Sequence, residues 1–170
     1  MCATVVFVHG IWMTVLELGL LRRRVADCGY QTRLFRYASL RRSPQENAQT
    51  LAGFLDTLHV EQFHLVAHSL GGIVICHLLA QVQPVGLGQI LMLGSPLRGS
   101  EVARQVWRHP WARWLLGRAY EEGLLGDAPC CPAGRAIGMI AGNRGFGIGN
   151  LIAGRKLPRP HDGMVALRET

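Results

Sequence analysis

The chain has 170 residues, of which 49% are hydrophobic and 17% charged, and its formal net charge is +7. This length fits a single domain over residues 1–170, and the apolar content excludes intrinsic disorder. The arginines that supply the positive charge are scattered and accompany no nucleic-acid-binding motif, so a solvated basic surface is expected rather than a nucleic-acid partner. No apolar run is long enough to span a bilayer, and residues 1–4 do not resemble a signal peptide.

The cysteines favour a reducing compartment. There are five of them, none forms a C-x-x-C pair, and Cys130 and Cys131 are adjacent. A closed disulfide framework or a zinc site would need a different pattern. We therefore expect reduced thiols, a cytoplasmic location, and no metal or organic cofactor.

Apolar runs of strand length alternate with amphipathic segments along the chain. The first helix is predicted at 18–28, the second begins with the capping box Ser43-Pro44-Gln45-Glu46 and runs to Leu58, and the third covers 70–82. Strands are predicted at 4–8, 32–37, 63–67, 89–93 and 137–141. This alternation predicts an α/β fold with a doubly wound, mostly parallel sheet.

The chain from 99 to 135 is less regular and is a candidate cap or lid. Trp107, Trp111 and Trp114 follow helical spacing with arginines between them, and Pro110 interrupts the run. A cap would meet lipid or an apolar substrate. The favoured alternative is that the tryptophans pack on the sheet edge, because such stripes usually mark a core face. The glycine-rich segment 142–154 lacks phosphate-loop spacing and is predicted to be a flexible loop.

The most informative motif is Ala67-His68-Ser69-Leu70-Gly71, which follows a predicted strand and precedes an apolar helix. It matches the nucleophile elbow G-x-S-x-G with alanine in the first place. The residues two before and two after the serine crowd together at such a turn, so only glycine or alanine is expected at either position. The turn lifts the serine Oγ above the sheet edge, and the helix N-terminus favours developing negative charge.

Two further motifs occur in order with the elbow. Val8-His9-Gly10-Ile11 ends the first strand, and Leu-Gly-Ser-Pro-Leu-Arg-Gly-Ser occupies 93–100. Together the three motifs resemble the small bacterial lipase, esterase and acyltransferase group of α/β-hydrolases, and the alanine variant is similar to the elbow of the minimal Bacillus lipases. The resemblance implies an oxyanion hole made by the backbone N–H groups of Ile11 and Leu70, with Gly10 allowing close approach. His9 and His68 flank this site and, with Gly71, are expected to support its loops.

In this family the acid and then the histidine follow the serine. Asp162 in Pro160-His161-Asp162-Gly163-Met164-Val165 looks like the turn that carries the acid, although Asp-Gly turns are common on any surface. No histidine occurs in the eight residues 163–170, and the His161 side chain is expected to diverge from its neighbour Asp162. The favoured interpretation is a C-terminally incomplete hydrolase domain that lacks its last strand and helix. The alternative is a natural short form with an altered base or none.

The leading hypothesis is therefore a carboxylic-ester hydrolase that cleaves a small-molecule or lipid ester through an acyl-enzyme on Ser69. This chain is expected to be weak or inactive, because the catalytic histidine is absent. An acyltransferase would use the same residues. A non-catalytic domain that binds a ligand or partner is the main rival, and a basic, tryptophan-rich membrane-surface binder is a third hypothesis. The oligomeric state has no sequence signature.

Overall fold

The computed structural model describes residues 3–13, 18–131, 135–145 and 157–170. Residues 146–154 of the predicted glycine-rich loop 142–154 and residues 132–134 of the candidate cap lie outside this described part. Five strands form one sheet: β1 (Thr4–Val8), β2 (Gln31–Phe35), β3 (Phe63–His68), β4 (Leu87–Leu93) and β5 (Ile137–Ile140). All pair in parallel in the order β2-β1-β3-β4-β5, which confirms the predicted α/β sheet.

In the described part of the chain, four α-helices accompany the sheet: α1 (Gly19–Asp27), α2 (Pro44–Asp56), α3 (Leu70–Gln81) and α4 (Glu101–Arg108). The predicted capping box starts α2: the Glu46 N–H donates to Ser43 Oγ at 3.2 Å, and the Ser43 N–H donates to the Glu46 carboxylate at 2.9 Å. Two helix N-terminal donors are thereby satisfied. Within the described residues, none of the helices combines the length and apolar character that crossing a membrane requires.

The two faces of the sheet are covered by different helices. Side chains alternate along a strand, so β1 sends Val6 and Val8 to one face and Val5 and Phe7 to the other. The first pair joins the core formed with α2 and α3, and the second pair packs with Leu18 and the apolar side of α1. The sheet is therefore doubly wound. This arrangement explains why β1 is buried at every position and apolar from Val5 to Val8.

The segment after α4 breaks at Pro110, as predicted, and continues as a 3₁₀ helix, Pro110–Leu115. Trp107 packs on Tyr120, with ring centroids 4.1 Å apart. Trp111 and Trp114, however, are 76% and 71% exposed, so the prediction that these tryptophans pack on the sheet edge is wrong for both. The 3.6-residue period that aligned them ends at Pro110. The tighter 3₁₀ helix that follows turns other residues inward.

Cys76 of α3 and Cys131 form a disulfide, with their Cα atoms 5.1 Å apart. The expectation of reduced thiols is therefore wrong for this pair. The two residues are 55 positions apart and meet only because α3 packs beside the chain that leads towards β5. The spacing of the cysteines in the sequence does not indicate this pairing. Cys28 and Cys130 are free and exposed.

Candidate active site

Ser69 occupies the turn between β3 and α3, where the elbow motif places it. Its backbone has φ +49° and ψ −118°. A positive φ is uncommon outside glycine and costs on the order of 1–3 kcal/mol. The turn is held from both sides, because the Ser69 N–H donates to the Leu93 carbonyl at 2.9 Å and the Gly72 N–H donates to the Ser69 carbonyl at 3.0 Å. The serine side chain makes no capping hydrogen bond to α3 in the described structure.

Gly71 packs directly against the end of β1. A Cβ atom at this position would overlap the Val8 carbonyl oxygen and lie 2.8 Å from the His9 carbonyl oxygen. Ala67, two residues before the serine, is fully buried without such a conflict. Glycine and alanine were both expected to fit at position 71, and the structure leaves room only for glycine. There the neighbour is backbone, which cannot turn away.

Gly10 brings the loop after β1 onto the elbow. A Cβ atom on Gly10 would lie 2.9 Å from Nδ1 of His68 and 3.1 Å from Cβ of Ser69. Distances this short leave no room for a side chain. The structure therefore gathers Gly10, His68 and Ser69 at the carboxyl ends of β1 and β3.

His9 is clamped between its own loop and Tyr37, which lies two residues after β2. The Tyr37 N–H donates to His9 Nε2 at 3.4 Å, the two rings stack at 4.2 Å, and the Tyr37 hydroxyl donates to the His9 carbonyl at 2.6 Å. Since Nε2 accepts, the ring proton is assigned to Nδ1, which donates to the Gly10 carbonyl at 2.8 Å. Burial raises the pKa of Tyr37 well above its ordinary value, so the phenol remains a donor.

This clamp sets the direction of the next peptide group. With the Gly10 carbonyl held by His9, the Ile11 N–H points to the opposite side, because the two groups are antiparallel in a trans peptide. Leu70 is the first residue of α3, and its N–H is one of the N-terminal donors that a helix cannot satisfy internally. The family resemblance implied that the N–H groups of Ile11 and Leu70 form an oxyanion hole, and that role stays a prediction.

Asp162 lies at the same edge of the sheet, beyond β4 and β5. Its Oδ1 accepts from the N–H groups of Met164 and Val165, both at 2.7 Å. A Cβ atom on Gly94, the residue after β4, would lie 3.2 Å from Asp162 Oδ2, and one on Gly142 would lie 2.7 Å from Asp162 Cβ. Ligand and catalytic sites of parallel sheets form at the carboxyl ends of the strands, and Ser69 and Asp162 both belong to that edge.

Several histidines are engaged elsewhere. His161 Nδ1 accepts from the Gly163 N–H at 3.1 Å, and its ring lies against Gly145. His64 Nδ1 accepts from the Gln89 N–H at 2.9 Å, and His77 Nε2 lies 2.6 Å from the Glu122 carbonyl oxygen. The ring of His161 is thus committed to its own turn, in keeping with the expectation that it diverges from Asp162.

Tyr37 is a site residue that sequence reasoning did not identify. It lies two residues after β2, and β2 pairs with β1 so that Phe35 is opposite Val8. Because the two strands are parallel, the residues that follow Val8 and those that follow Phe35 lie next to each other. The sequence signal that could have identified Tyr37 was a polar aromatic residue just after the strand that neighbours β1.

Comparison with known proteins agrees with this architecture. A family model described as the alpha/beta hydrolase family matches residues 5–162. The structure resembles a Bacillus licheniformis lipase, BlEst2, with a TM-score of 0.72 and 21% identity over 99% of this chain and 78% of the lipase chain. It also resembles the metagenomic carboxyl esterase MGS0156, with a TM-score of 0.67 and 18% identity over 98% of this chain and 59% of the esterase.

No curated protein sequence matches the chain. At 21% and 18% identity, the similarity to these two solved structures establishes the fold alone. Family membership follows from the family model, which matches residues 5–162. The chain belongs to the alpha/beta hydrolase family.

Proposed function

We propose that the chain is the catalytic core of a serine hydrolase that cleaves carboxylic esters, with Ser69 as the nucleophile. The observation that carries the proposal is the strained, positive-φ backbone of Ser69 at the β3–α3 turn, on the same sheet edge as Asp162. Family membership and the fold shared with a lipase and a carboxyl esterase support hydrolase chemistry in general. The substrate class is a small-molecule or lipid ester, and the proposed steps need no cofactor.

In the proposed reaction, Ser69 Oγ bonds to the ester carbonyl carbon while the carbonyl electron pair moves onto oxygen. The N–H groups of Ile11 and Leu70 stabilise that oxyanion, and its collapse expels the alcohol and leaves an acyl-Ser69. Water then adds to the acyl carbon and releases the acid. A base takes the Oγ proton and returns it to the leaving alcohol, and Asp162 orients that base and stabilises its charged form.

We assign the base to none of His9, His64, His77 and His161. Both ring nitrogens of His9 are hydrogen-bonded, and one ring nitrogen of each of the other three is hydrogen-bonded to backbone outside the elbow. We therefore expect the chain alone to be a weak hydrolase. A site that lacks one triad member retains about 10³–10⁴-fold catalysis over water. Transfer of the acyl group to an alcohol instead of water would use the same acyl-Ser69.

The segment from Glu101 to Leu124 acts as a cap in this proposal. Its apolar residues pack on Leu70 and Ile73, at the N-terminal end of α3 next to the serine. A cap at this position would border the acyl-binding side of the site.

Added imidazole provides the test, because it can take the place of a missing base. We expect imidazole to accelerate p-nitrophenyl butyrate hydrolysis by the wild type and by a Ser39→Ala control, beyond its own background reaction, and to leave Ser69→Ala at background. An equal response of Ser69→Ala would refute the nucleophile assignment. Fast turnover by the wild type without imidazole, abolished in Ser69→Ala, would support the nucleophile and place a base within the chain, to be sought with His68→Ala and His109→Ala.

A further inference from the structure

The 3₁₀ helix Pro110–Leu115 presents two large aromatic side chains to solvent. Trp111 and Trp114 are 76% and 71% exposed, whereas Ala112 between them is buried and packs against the start of α3. Tryptophan is highly buried on average in folded proteins. Two exposed tryptophans one turn apart indicate a surface that meets a partner.

The backbone beneath these tryptophans is firmly attached. Trp12 Nε1 donates to the Leu115 carbonyl at 2.7 Å, and the Arg118 N–H donates to the Leu40 carbonyl at 2.8 Å. Arg113 Nε donates to the Trp107 carbonyl at 2.8 Å, and its guanidinium lies 4.5 Å from the Trp107 ring centroid. The two aromatic side chains are therefore displayed by a braced structure rather than by a frayed end.

The charge around them is positive. Arg108 and Arg113 are exposed on either side of Trp111. In the part of the chain that the structure describes, the salt bridges engage Arg104 and Arg118, and neither Arg108 nor Arg113 forms one. Arg108 donates to the Gln105 side chain at 3.4 Å and its charge helps to lower the pKa of Glu101, without direct contact between the two charged groups. We call Arg108, Trp111, Arg113 and Trp114 the tryptophan patch.

We propose that the tryptophan patch binds the surface of an anionic phospholipid bilayer. Tryptophan favours the boundary between headgroups and acyl chains, because its ring is apolar and its N–H is polar. Arginines beside it are attracted to lipid phosphates, and each contributes about 1 kcal/mol near an anionic surface. Charge complementarity therefore favours an anionic membrane as the occupant, and the contact is peripheral.

Vesicle binding tests the proposal without reference to hydrolysis. We expect the wild type to co-sediment with phosphatidylglycerol–phosphatidylcholine vesicles, to show a blue shift of tryptophan emission, and to bind pure phosphatidylcholine weakly. Arg108→Gln/Arg113→Gln should weaken binding about 30-fold, as loss of two surface arginines implies. The charge-matched control Arg23→Gln/Arg24→Gln, at exposed positions of α1, should bind within a few fold of the wild type.

The tryptophans are tested in the same way. Trp111→Ala/Trp114→Ala should weaken binding about tenfold or more, because burying even about 60 Å² of apolar surface corresponds to tenfold. The control Leu20→Ala/Val85→Ala removes two apolar residues that are 62% and 94% exposed elsewhere, and it should bind normally. Arg113→Lys keeps the charge and should bind like the wild type, which separates loss of charge from loss of the Trp107 contact.

Three results would overturn the proposal. One is failure of the wild type to bind anionic vesicles at low salt, and another is equal loss of binding in patch and control variants. The third is a dimer that forms without lipid and dissociates when the patch is mutated, which would make a second copy the occupant. Ser69→Ala should bind vesicles normally, so the outcome is independent of the proposed hydrolase activity.

Discussion

Replacing Gly71 by alanine probes the contact between the elbow and β1. The new Cβ would overlap the Val8 carbonyl oxygen, and backbone there is fixed by the β1–β3 pairing. Alanine gains about 0.5–1 kcal/mol over glycine in a helix, whereas overpacking costs about 1–3 kcal/mol. Because the clash is with backbone, we take the upper part of that range and expect a net loss of about 1–2 kcal/mol.

Gly53 of α2 is the matched control, because a Cβ atom there would meet nothing within 4 Å. Gly53→Ala should stabilise the protein by about 0.5–1 kcal/mol. In thermal unfolding, at about 2–4 °C per kcal/mol for a chain of this size, Gly71→Ala should lower Tm by about 2–8 °C and Gly53→Ala should raise it by a few degrees. A change of Tm in the same direction in both variants would refute the packing described for the elbow.

Three further substitutions test contacts around the site. Tyr37→Phe removes the hydroxyl that donates to the His9 carbonyl and should cost about 1 kcal/mol in urea unfolding; an unchanged midpoint would contradict the clamp. Glu169→Ala removes a buried carboxylate that accepts two backbone N–H groups at 2.6 and 2.8 Å and should cost about 2–3 kcal/mol, and a loss below 0.5 kcal/mol would argue against this buried contact. The Arg118 guanidinium lowers the pKa of Glu46 below its ordinary 4.5, so their interaction stabilises the fold above that pH and is lost as the pH falls through the lowered value. Arg118→Gln should therefore reduce the loss of stability on acidification below pH 4.5, and an unchanged pH profile would contradict this.

Local patterns predicted most of the fold, because strand runs and capping signals act over a few residues. The capping box at Ser43 and the apolar β1 are such cases, and the Ser69 turn follows from a short motif between a strand and a helix. What failed depended on long-range contacts. The Cys76–Cys131 pair and the role of Tyr37 arise only when distant elements pack together.

The prediction that the tryptophans pack on the sheet edge was wrong for a different reason. Their spacing fits an α-helix, but Pro110 converts the following turn to 3₁₀ geometry and moves two of the three rings outward. A 3.6-residue period does not continue beyond a proline that ends the α-helix. The displaced rings became the most exposed aromatic residues of the described chain.

The central claim is that Ser69 Oγ becomes acylated during ester cleavage. The direct measurement is mass spectrometry of the protein after brief incubation with p-nitrophenyl butyrate and imidazole, followed by acid quench and peptide mapping. We predict a single butyryl group on the peptide that contains Ser69, absent from the Ser69→Ala variant. A butyryl group on another residue, or equal labelling of the Ser69→Ala variant, would contradict the assignment of Ser69 as the nucleophile.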